Sequence, residues 1–117
     1  MSYEPGTHII ASMQAADNTL LNTCDAFRGQ LDSLINTHSL KKLGEVYHNF
    51  EPAGYTAVIC LSESHISIHT WPEHGLINID IYLSNFQRNN DGTVDAIFRD
   101  IRQFFNASIV SQQLIRR

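Results

Sequence analysis

The sequence has little that suggests a secreted, membrane-spanning or nucleic-acid-binding protein. Its only two cysteines, Cys24 and Cys60, lack the CxxC spacing of a redox or zinc motif. No apolar run approaches the roughly 20 residues that a membrane-spanning helix needs, and no signal-peptide pattern is seen. The net charge is −4, so no basic footprint indicates nucleic acid. We therefore expect a cytoplasmic protein with no membrane or nucleic-acid partner, and both cysteines as buried thiols.

The apolar and turn patterns predict one domain over residues 1–117. Apolar residues make up 43% of the chain and charged residues only 17%, which is typical of a globular protein. Helical periodicity predicts helices over 17–36 and 93–105. Strand patterns cover 7–12, 41–50, 55–61, 65–70, 78–83 and 107–114. The strand 55–61 is almost continuously apolar, so we expect it to be central and covered on both faces. The order β-α-β-β-β-β-α-β predicts an α+β two-layer sandwich, with two helices on one face of a largely antiparallel sheet.

The chemistry-bearing residues concentrate in the run 61–73. This run contains a carboxylate, a hydroxyl and an imidazole in succession at Glu63-Ser64-His65. Strand alternation then places His65, Ser67 and His69 on one face and Ile66 and Ile68 on the other. The isoleucines favour a core, so the polar trio should face a cleft, solvent or an interface.

The same run closely resembles the processing site of the prokaryotic S-adenosylmethionine decarboxylase proenzymes. The resemblance rests on Glu63-Ser64-His65, on the run from Ile68 to Glu73, and on Gly75 and Asp80. It implies self-cleavage into 1–63 and 64–117, with Ser64 converted into a covalent pyruvoyl cofactor. Such a cofactor suits amino-acid decarboxylation, because its carbonyl can form a Schiff base with the substrate amine and accept electrons as carbon dioxide leaves. The resemblance implies a small-molecule substrate, S-adenosylmethionine by default, and a product that would enter polyamine and spermidine biosynthesis.

The resemblance also implies roles for individual residues. His69 would be the processing base, which suits an imidazole because its pKa lies near neutrality, and Thr56 would assist it. Phe50 would stack on the adenine of the substrate. The other substrate-binding candidates are His65, Glu73, Asp80 and Tyr82. Asn78 stands where the family commonly has a small residue, but it shares a strand face with Asp80 and Tyr82 and would add an amide to the cleft. The family habit, together with the small size of the chain, predicts a homodimer with the site close to the subunit interface.

Several positions depart from the family pattern, and one of them matters most. Ser84 stands where the family has the cysteine that returns a proton to the substrate carbon. A thiol does this more readily than a hydroxyl, because its pKa is about 8.5. This departure leaves two alternatives open: an arginine or ornithine decarboxylase on the same scaffold, and a non-catalytic regulatory paralogue.

A metal site is disfavoured. His65, His69 and His74 are the nearest set of possible ligands in the sequence. His65 and His69 are four residues apart on one strand, so about 13 Å would separate their Cα atoms. One zinc ion needs ligands at about 2 Å.

Overall fold

The computed structural model describes residues 3–86 and 88–117 as a six-stranded antiparallel sheet with helices on one face. The strands lie in the order β2-β3-β4-β5-β1-β6. The elements are β1 (Thr7–Ala15), α1 (Thr19–Asn22), α2 (Asp25–Thr37), β2 (Lys42–Asn49), β3 (Tyr55–Leu61), β4 (Ser64–Trp71), β5 (Leu76–Leu83), α3 (Asp91–Phe105) and β6 (Ala107–Arg116), with a 3₁₀ turn at Pro72–His74. The predicted α+β architecture is confirmed, although the described residues form three helices where two were expected.

The core lies between the helices and one face of the sheet. Ile66 and Ile68 are fully buried there, as the alternation of the motif strand predicts. The apolar stripe of α3, which includes Ile97 and Ile101, packs over the same layer. Burying each of these isoleucines stabilises the fold by roughly 1.5–3 kcal/mol. The core therefore fixes β4 in one register, and this register decides which side chains face away from the helices.

The prediction of one helix over residues 17–36 is wrong. The chain leaves the helical conformation at Thr23, which is extended (φ −135°, ψ 155°), and separates α1 from α2. Two long-range hydrogen bonds hold this break. The Cys24 N–H donates to Asn49 Oδ1 at 2.9 Å, and the Gly54 N–H donates to the Asn22 carbonyl at 2.9 Å. These bonds fasten the break to the end of β2 and to the turn that follows it.

The expectation that β3 is covered on both faces is also wrong. Its residues alternate between buried and open positions, and Val58 is 44% exposed. Cys60 is exposed as well, which corrects the prediction that both thiols are buried; Cys24 is buried. The helices cover only one side of the sheet, so no other described residue covers the outward-facing apolar side chains of β3. We call this helix-free side the open face.

A carboxylate network joins β1, α3 and β6, and it should make stability depend on acidity. Asp91 accepts hydrogen bonds from Thr7 (2.7 Å), Asn85 (3.0 Å) and Arg116, and these bonds lower its pKa from 3.8 to about 2. A depressed carboxyl pKa stabilises the fold above the ordinary pKa, and this contribution is lost as the pH falls through the folded value. Asp91→Asn should therefore lower the free energy of unfolding at neutral pH and flatten its decline between pH 4 and pH 2, as measured by urea denaturation.

Asp95→Asn is the matched control for that experiment. Asp95 lies on the same helix, but its side chain is 70% exposed and its ion pair with Arg99 is 3.4 Å long. Exposed pairs of this kind contribute about 0–1 kcal/mol. An acid profile that changes equally in the two variants would show that the Asp91 network is not the source of the effect.

Candidate active site

The open face carries three polar rows that run across neighbouring strands. In each row, residues that are direct partners in the ladder present side chains on the same side of the sheet. The first row is His8, Tyr82, His65 and Cys60; the second is Ile10, Asp80, Ser67 and Val58; the third is Ser12, Asn78, His69, Thr56 and His48. The rows gather most of the residues singled out in the sequence onto one surface.

Ser64 has an unusual backbone conformation. It follows the two-residue turn between β3 and β4, and its φ is +122°. Tight hairpins normally place positive φ on glycine, asparagine or aspartate. The two other non-glycine residues with positive φ, Ser39 and Asn106, lie at 55° and 48°, within the ordinary left-handed region. Holding a serine outside that region costs of order 1–3 kcal/mol, and such strain clusters at functional sites.

The peptide carbonyl before Ser64 already accepts a hydrogen bond. The backbone N–H of Ser84 donates to the Glu63 carbonyl oxygen at 2.8 Å. A donor at this distance would stabilise negative charge on that oxygen during attack on the carbonyl carbon. Because the donor is a main-chain group, it does not depend on whether position 84 is serine or cysteine.

The Glu63 side chain is held by two residues that the sequence did not single out. Arg88 donates from Nε to Oε2 at 3.1 Å and from Nη2 to Oε1 at 3.0 Å, and Asn90 donates from Nδ2 to Oε2. Burial raises the pKa of the Glu63 carboxyl, but the hydrogen bonds from Arg88 and Asn90 and the charge of Arg88 outweigh it, and the pKa is lowered. The carboxylate is therefore ionised at neutral pH.

The opposite end of β4 holds a hydroxyl–imidazole pair beside a cleft. Thr56 Oγ1 and His69 Nδ1 share a hydrogen bond of 2.9 Å. The cleft of about 420 Å³ beside them is lined by Phe50, Glu51, Pro52, Ala53, Thr70, Trp71 and Glu73 as well as by this pair. Gly54 shapes the turn that carries Phe50: its φ is +101°, and a Cβ there would lie 3.2 Å from the Thr70 carbonyl oxygen.

Asn78 lies opposite His69 in the ladder, and Asp80 lies between the two ends of β4. Asn78 accepts a hydrogen bond from Trp71 Nε1 at 2.8 Å and donates to Ser12 Oγ at 2.9 Å, so its amide is fixed and orients the indole. Asp80 stands opposite Ser67 in the ladder. Asn78 therefore orders one wall of the cleft.

A cluster of rings lies on the Ser64 side of the open face. The centroids of His8, His65 and Tyr82 are 5.3–6.0 Å apart. His8 is 6% exposed, and neither of its ring nitrogens has a partner among the described residues. Burial is the main reason why its pKa is lowered. The cluster brings together two of the substrate-binding candidates, His65 and Tyr82, and adds His8 to them.

Ser64 and His69 do not meet within one chain. They are five residues apart on β4, a straight strand, so about 17 Å separates their Cα atoms. The candidate residues therefore form two groups: Glu63, Ser64, His65, Tyr82 and Ser84 at one end, and Phe50, Thr56, His69, Glu73 and Asn78 at the other.

Two further features concern the described residues, 3–86 and 88–117. Among them, no group of three or more histidines, cysteines or acidic residues could hold a metal ion. No helix in this part of the chain is long and apolar enough to cross a membrane.

Comparisons with known proteins agree over nearly the whole chain. A family model described as S-adenosylmethionine decarboxylase matches residues 7–117. The S-adenosylmethionine decarboxylase proenzyme of Picrophilus torridus is 34% identical over 102 residues, covering 87% of this chain and 78% of that protein. The proenzyme of the same name from Thermoplasma volcanium is 31% identical over 111 residues, covering 95% of this chain and 83% of that protein. The crystal structure of the adenosylmethionine decarboxylase from Aquifex aeolicus superposes with a TM-score of 0.85 at 31% identity, covering 99% of this chain and 92% of that one.

Proposed function

The chain belongs to the S-adenosylmethionine decarboxylase family, and we propose that it cleaves itself between Glu63 and Ser64, forms a pyruvoyl group and decarboxylates S-adenosylmethionine. Membership makes it a decarboxylase of polyamine biosynthesis. The observation that carries self-cleavage is the Glu63–Ser64 peptide, which joins a strained serine to a carbonyl with a hydrogen-bond donor in place. These residues fit a pyruvoyl group, because Ser64 supplies the carbon atoms and the hydroxyl that its formation requires.

The cleavage reaction uses only atoms of the chain and one water molecule. The Ser64 hydroxyl attacks the Glu63 carbonyl carbon, the C–N bond breaks, the hydroxyl proton passes to the amine, and an ester forms. A base then removes the Ser64 α-proton, and the Cβ–Oγ bond breaks as the Glu63 carboxylate leaves. Water replaces the nitrogen of the remaining dehydroalanine and ammonia departs. The products are a chain ending at Glu63 and a pyruvoyl-blocked chain beginning at residue 64.

The proposed base for this reaction, His69, comes from a second copy of the chain. His69 suits the role because its Nδ1 is held by Thr56 and a neutral imidazole can accept a proton. It lies about 17 Å from the Ser64 of its own strand, which is too far for direct proton transfer. A two-fold axis through the open face would set the His69 end of one protomer against the Ser64 end of the other. We therefore propose a homodimer in which each site combines residues of both chains.

The exposed apolar side chains of the open face support this assembly. Val46, Val58 and Trp71 are 67%, 44% and 45% exposed. Val46 and Val58 are ladder partners, so they form an apolar strip at the β2–β3 end of the second row. Apolar side chains grouped in this way are typical of interaction sites. Pairing two open faces would bury this strip and would enclose the polar rows between the two sheets.

The cleft at the His69 end has the chemistry of a nucleoside site. Phe50 is 48% exposed and can stack on a purine, and the Glu73 carboxylate can accept hydrogen bonds from ribose hydroxyls. The pyruvoyl group would supply an electrophilic carbonyl that binds the substrate amine and accepts electrons as carbon dioxide leaves. His65, Asp80 and Tyr82 lie on the face that would surround the methionine portion. The cytoplasmic location expected from the sequence stays a prediction.

The alternatives left open by the sequence gain no support. The relatives described above are named for S-adenosylmethionine and not for arginine or ornithine, and their names describe proenzymes, not regulatory partners. Carbon dioxide release from carboxyl-labelled S-adenosylmethionine, arginine and ornithine tests the substrate. We expect release from S-adenosylmethionine alone, and none from it with the Ser64→Ala variant. A fully cleaved protein that releases carbon dioxide only from arginine or ornithine would overturn the assignment.

Ser84 should make proton return to the substrate carbon the weak step. A hydroxyl is a poorer acid than a thiol at neutral pH, so protonation at a wrong atom, which converts the pyruvoyl group into alanine, competes more strongly. Ser84→Cys should raise turnover or slow inactivation, measured as carbon dioxide released over successive turnovers. Ser108→Cys, a serine-to-cysteine change on β6, is the control. Equal turnover by wild type and Ser84→Cys, without inactivation in either, would refute this account.

A further inference from the structure

The strained Glu63–Ser64 peptide is held from the side-chain end of Glu63. The Glu63 side chain is only 16% exposed, and Arg88 grips both of its carboxylate oxygens in a two-pronged contact. Arg88 Nη2 also donates to the carbonyl oxygens of His38 and Ser39 at 3.1 and 3.2 Å. These carbonyls belong to the two residues that directly follow α2. Arg88 therefore ties the β3–β4 turn to a helix that the core holds in place.

Asn90 binds both residues that form the hydrogen bond at the scissile carbonyl, Glu63 and Ser84. Its side chain is buried, with 1% exposure. Its Nδ2 donates both to Glu63 Oε2 and to the Ser84 carbonyl oxygen, the latter at 2.9 Å. Ser84 is the residue whose N–H donates to the Glu63 carbonyl. The carbonyl and its donor are thus connected through one amide as well as through their own hydrogen bond.

We propose that Arg88 and Asn90 are positioning residues for self-cleavage, and that they act by binding the Glu63 carboxylate. By fixing the carboxylate, the hydrogen bonds from Arg88 and Asn90 hold the Glu63 carbonyl close to the Ser84 N–H and keep Ser64 at positive φ. Attack by the Ser64 hydroxyl then places negative charge on an oxygen whose donor needs no reorganisation. This inference rests on the proposed cleavage at Glu63–Ser64. It concerns formation of the ester and leaves decarboxylation by the mature enzyme unchanged.

The test follows cleavage of newly synthesised chains in cell-free translation, by pulse labelling and denaturing gels. Arg88→Met removes the charge and the two-pronged contact, and we expect cleavage about ten- to a hundredfold slower, the scale of a small misplacement of reacting groups. Arg88→Lys should be intermediate, because it keeps charge without the planar fork. Arg99→Met is the matched control, since Arg99 is an exposed arginine on α3 that pairs only with Asp95 among the described residues.

A double-mutant cycle separates positioning from general structural damage. Glu63→Gln keeps the peptide carbonyl and removes the carboxylate charge that Arg88 binds. If Arg88 acts through Glu63, Arg88→Met should slow cleavage little further on the Glu63→Gln background. Hydroxylamine, which cleaves esters, should release less of the 1–63 chain from Arg88→Met than from wild type at equal times. Turnover per cleaved chain should match the wild type.

Each outcome decides between the inference and the proposed function. If wild type is cleaved and Arg88→Met is cleaved as fast as Arg99→Met, the positioning role is refuted while self-cleavage stands. If Arg88→Met slows cleavage by the same factor in the wild-type background and in the Glu63→Gln background, Arg88 does not act through Glu63. The inference is then again refuted. If the wild-type chain is never cleaved, the proposed function fails and the inference fails with it.

Discussion

Replacing Ser64 by alanine should leave the chain whole and without decarboxylase activity. The substitution removes the only hydroxyl that can attack the Glu63 carbonyl from the next residue, so no ester forms and no pyruvoyl group follows. The expected loss is complete on both counts, because the cofactor would derive from this side chain. Denaturing gels and carbon dioxide release measure the two effects on one preparation.

Ser67→Ala provides the matched control for that loss. Ser67 lies on the same strand and the same face as His65, opposite Asp80 in the ladder, and has no role in the cleavage reaction. The Ser67→Ala chain should therefore be cleaved to the same extent as the wild type. An Ser64→Ala chain that is still cut between residues 63 and 64 would mean that the cleavage is hydrolytic and owes nothing to the serine.

Co-expression of Ser64→Ala with His69→Ala should restore cleavage that neither variant shows alone. Within one chain the two positions are about 17 Å apart, so the proposed site takes Ser64 from one protomer and Thr56 and His69 from the other. In a mixed dimer, the His69→Ala chain keeps its serine and receives the imidazole of the Ser64→Ala chain. One intact site results, and the His69→Ala chain should be cut. Different affinity tags on the two chains identify the product on gels.

The opposite result has an equally clear meaning. If mixed dimers form but neither chain is cut, His69 does not act across the interface. Light scattering on each variant shows whether dimers are present. A monomer at micromolar concentration would remove the second chain from the site, and the distance between Ser64 and His69 would then exclude His69 as the processing base.

The sequence pattern was sufficient for the architecture and for the two faces of β4. Ile66 and Ile68 alternate with polar neighbours, and burial follows that alternation because one face of the sheet is covered by helices. The same logic failed for β3. A run of apolar residues there suggested cover on both faces, yet Val58 and Cys60 are exposed. Composition shows that a surface is apolar, but it does not show whether the cover comes from the same chain.

Long-range contacts explain the other misses. The helix break at Thr23 depends on Asn49 and Gly54, which lie far from it in the sequence, whereas helical periodicity registers only local order. The hydrogen bonds from Arg88 to Glu63 join residues that are 25 positions apart in the sequence. An arginine in a polar loop has no local signature that distinguishes it from a solvated charge, so only the folded chain reveals its partner. Family resemblance supplied candidates for the site, and the geometry then divided them between the two ends of β4.

The intact mass of the purified protein tests the central claim most directly. Self-processing predicts two chains, one ending at Glu63 with a free carboxylate and one beginning at residue 64. The second chain should be lighter than the hydrolysis product by one ammonia, because the serine nitrogen is lost as the pyruvoyl group forms. A single uncut chain, or a 64–117 chain that begins with an unmodified serine, would contradict the account.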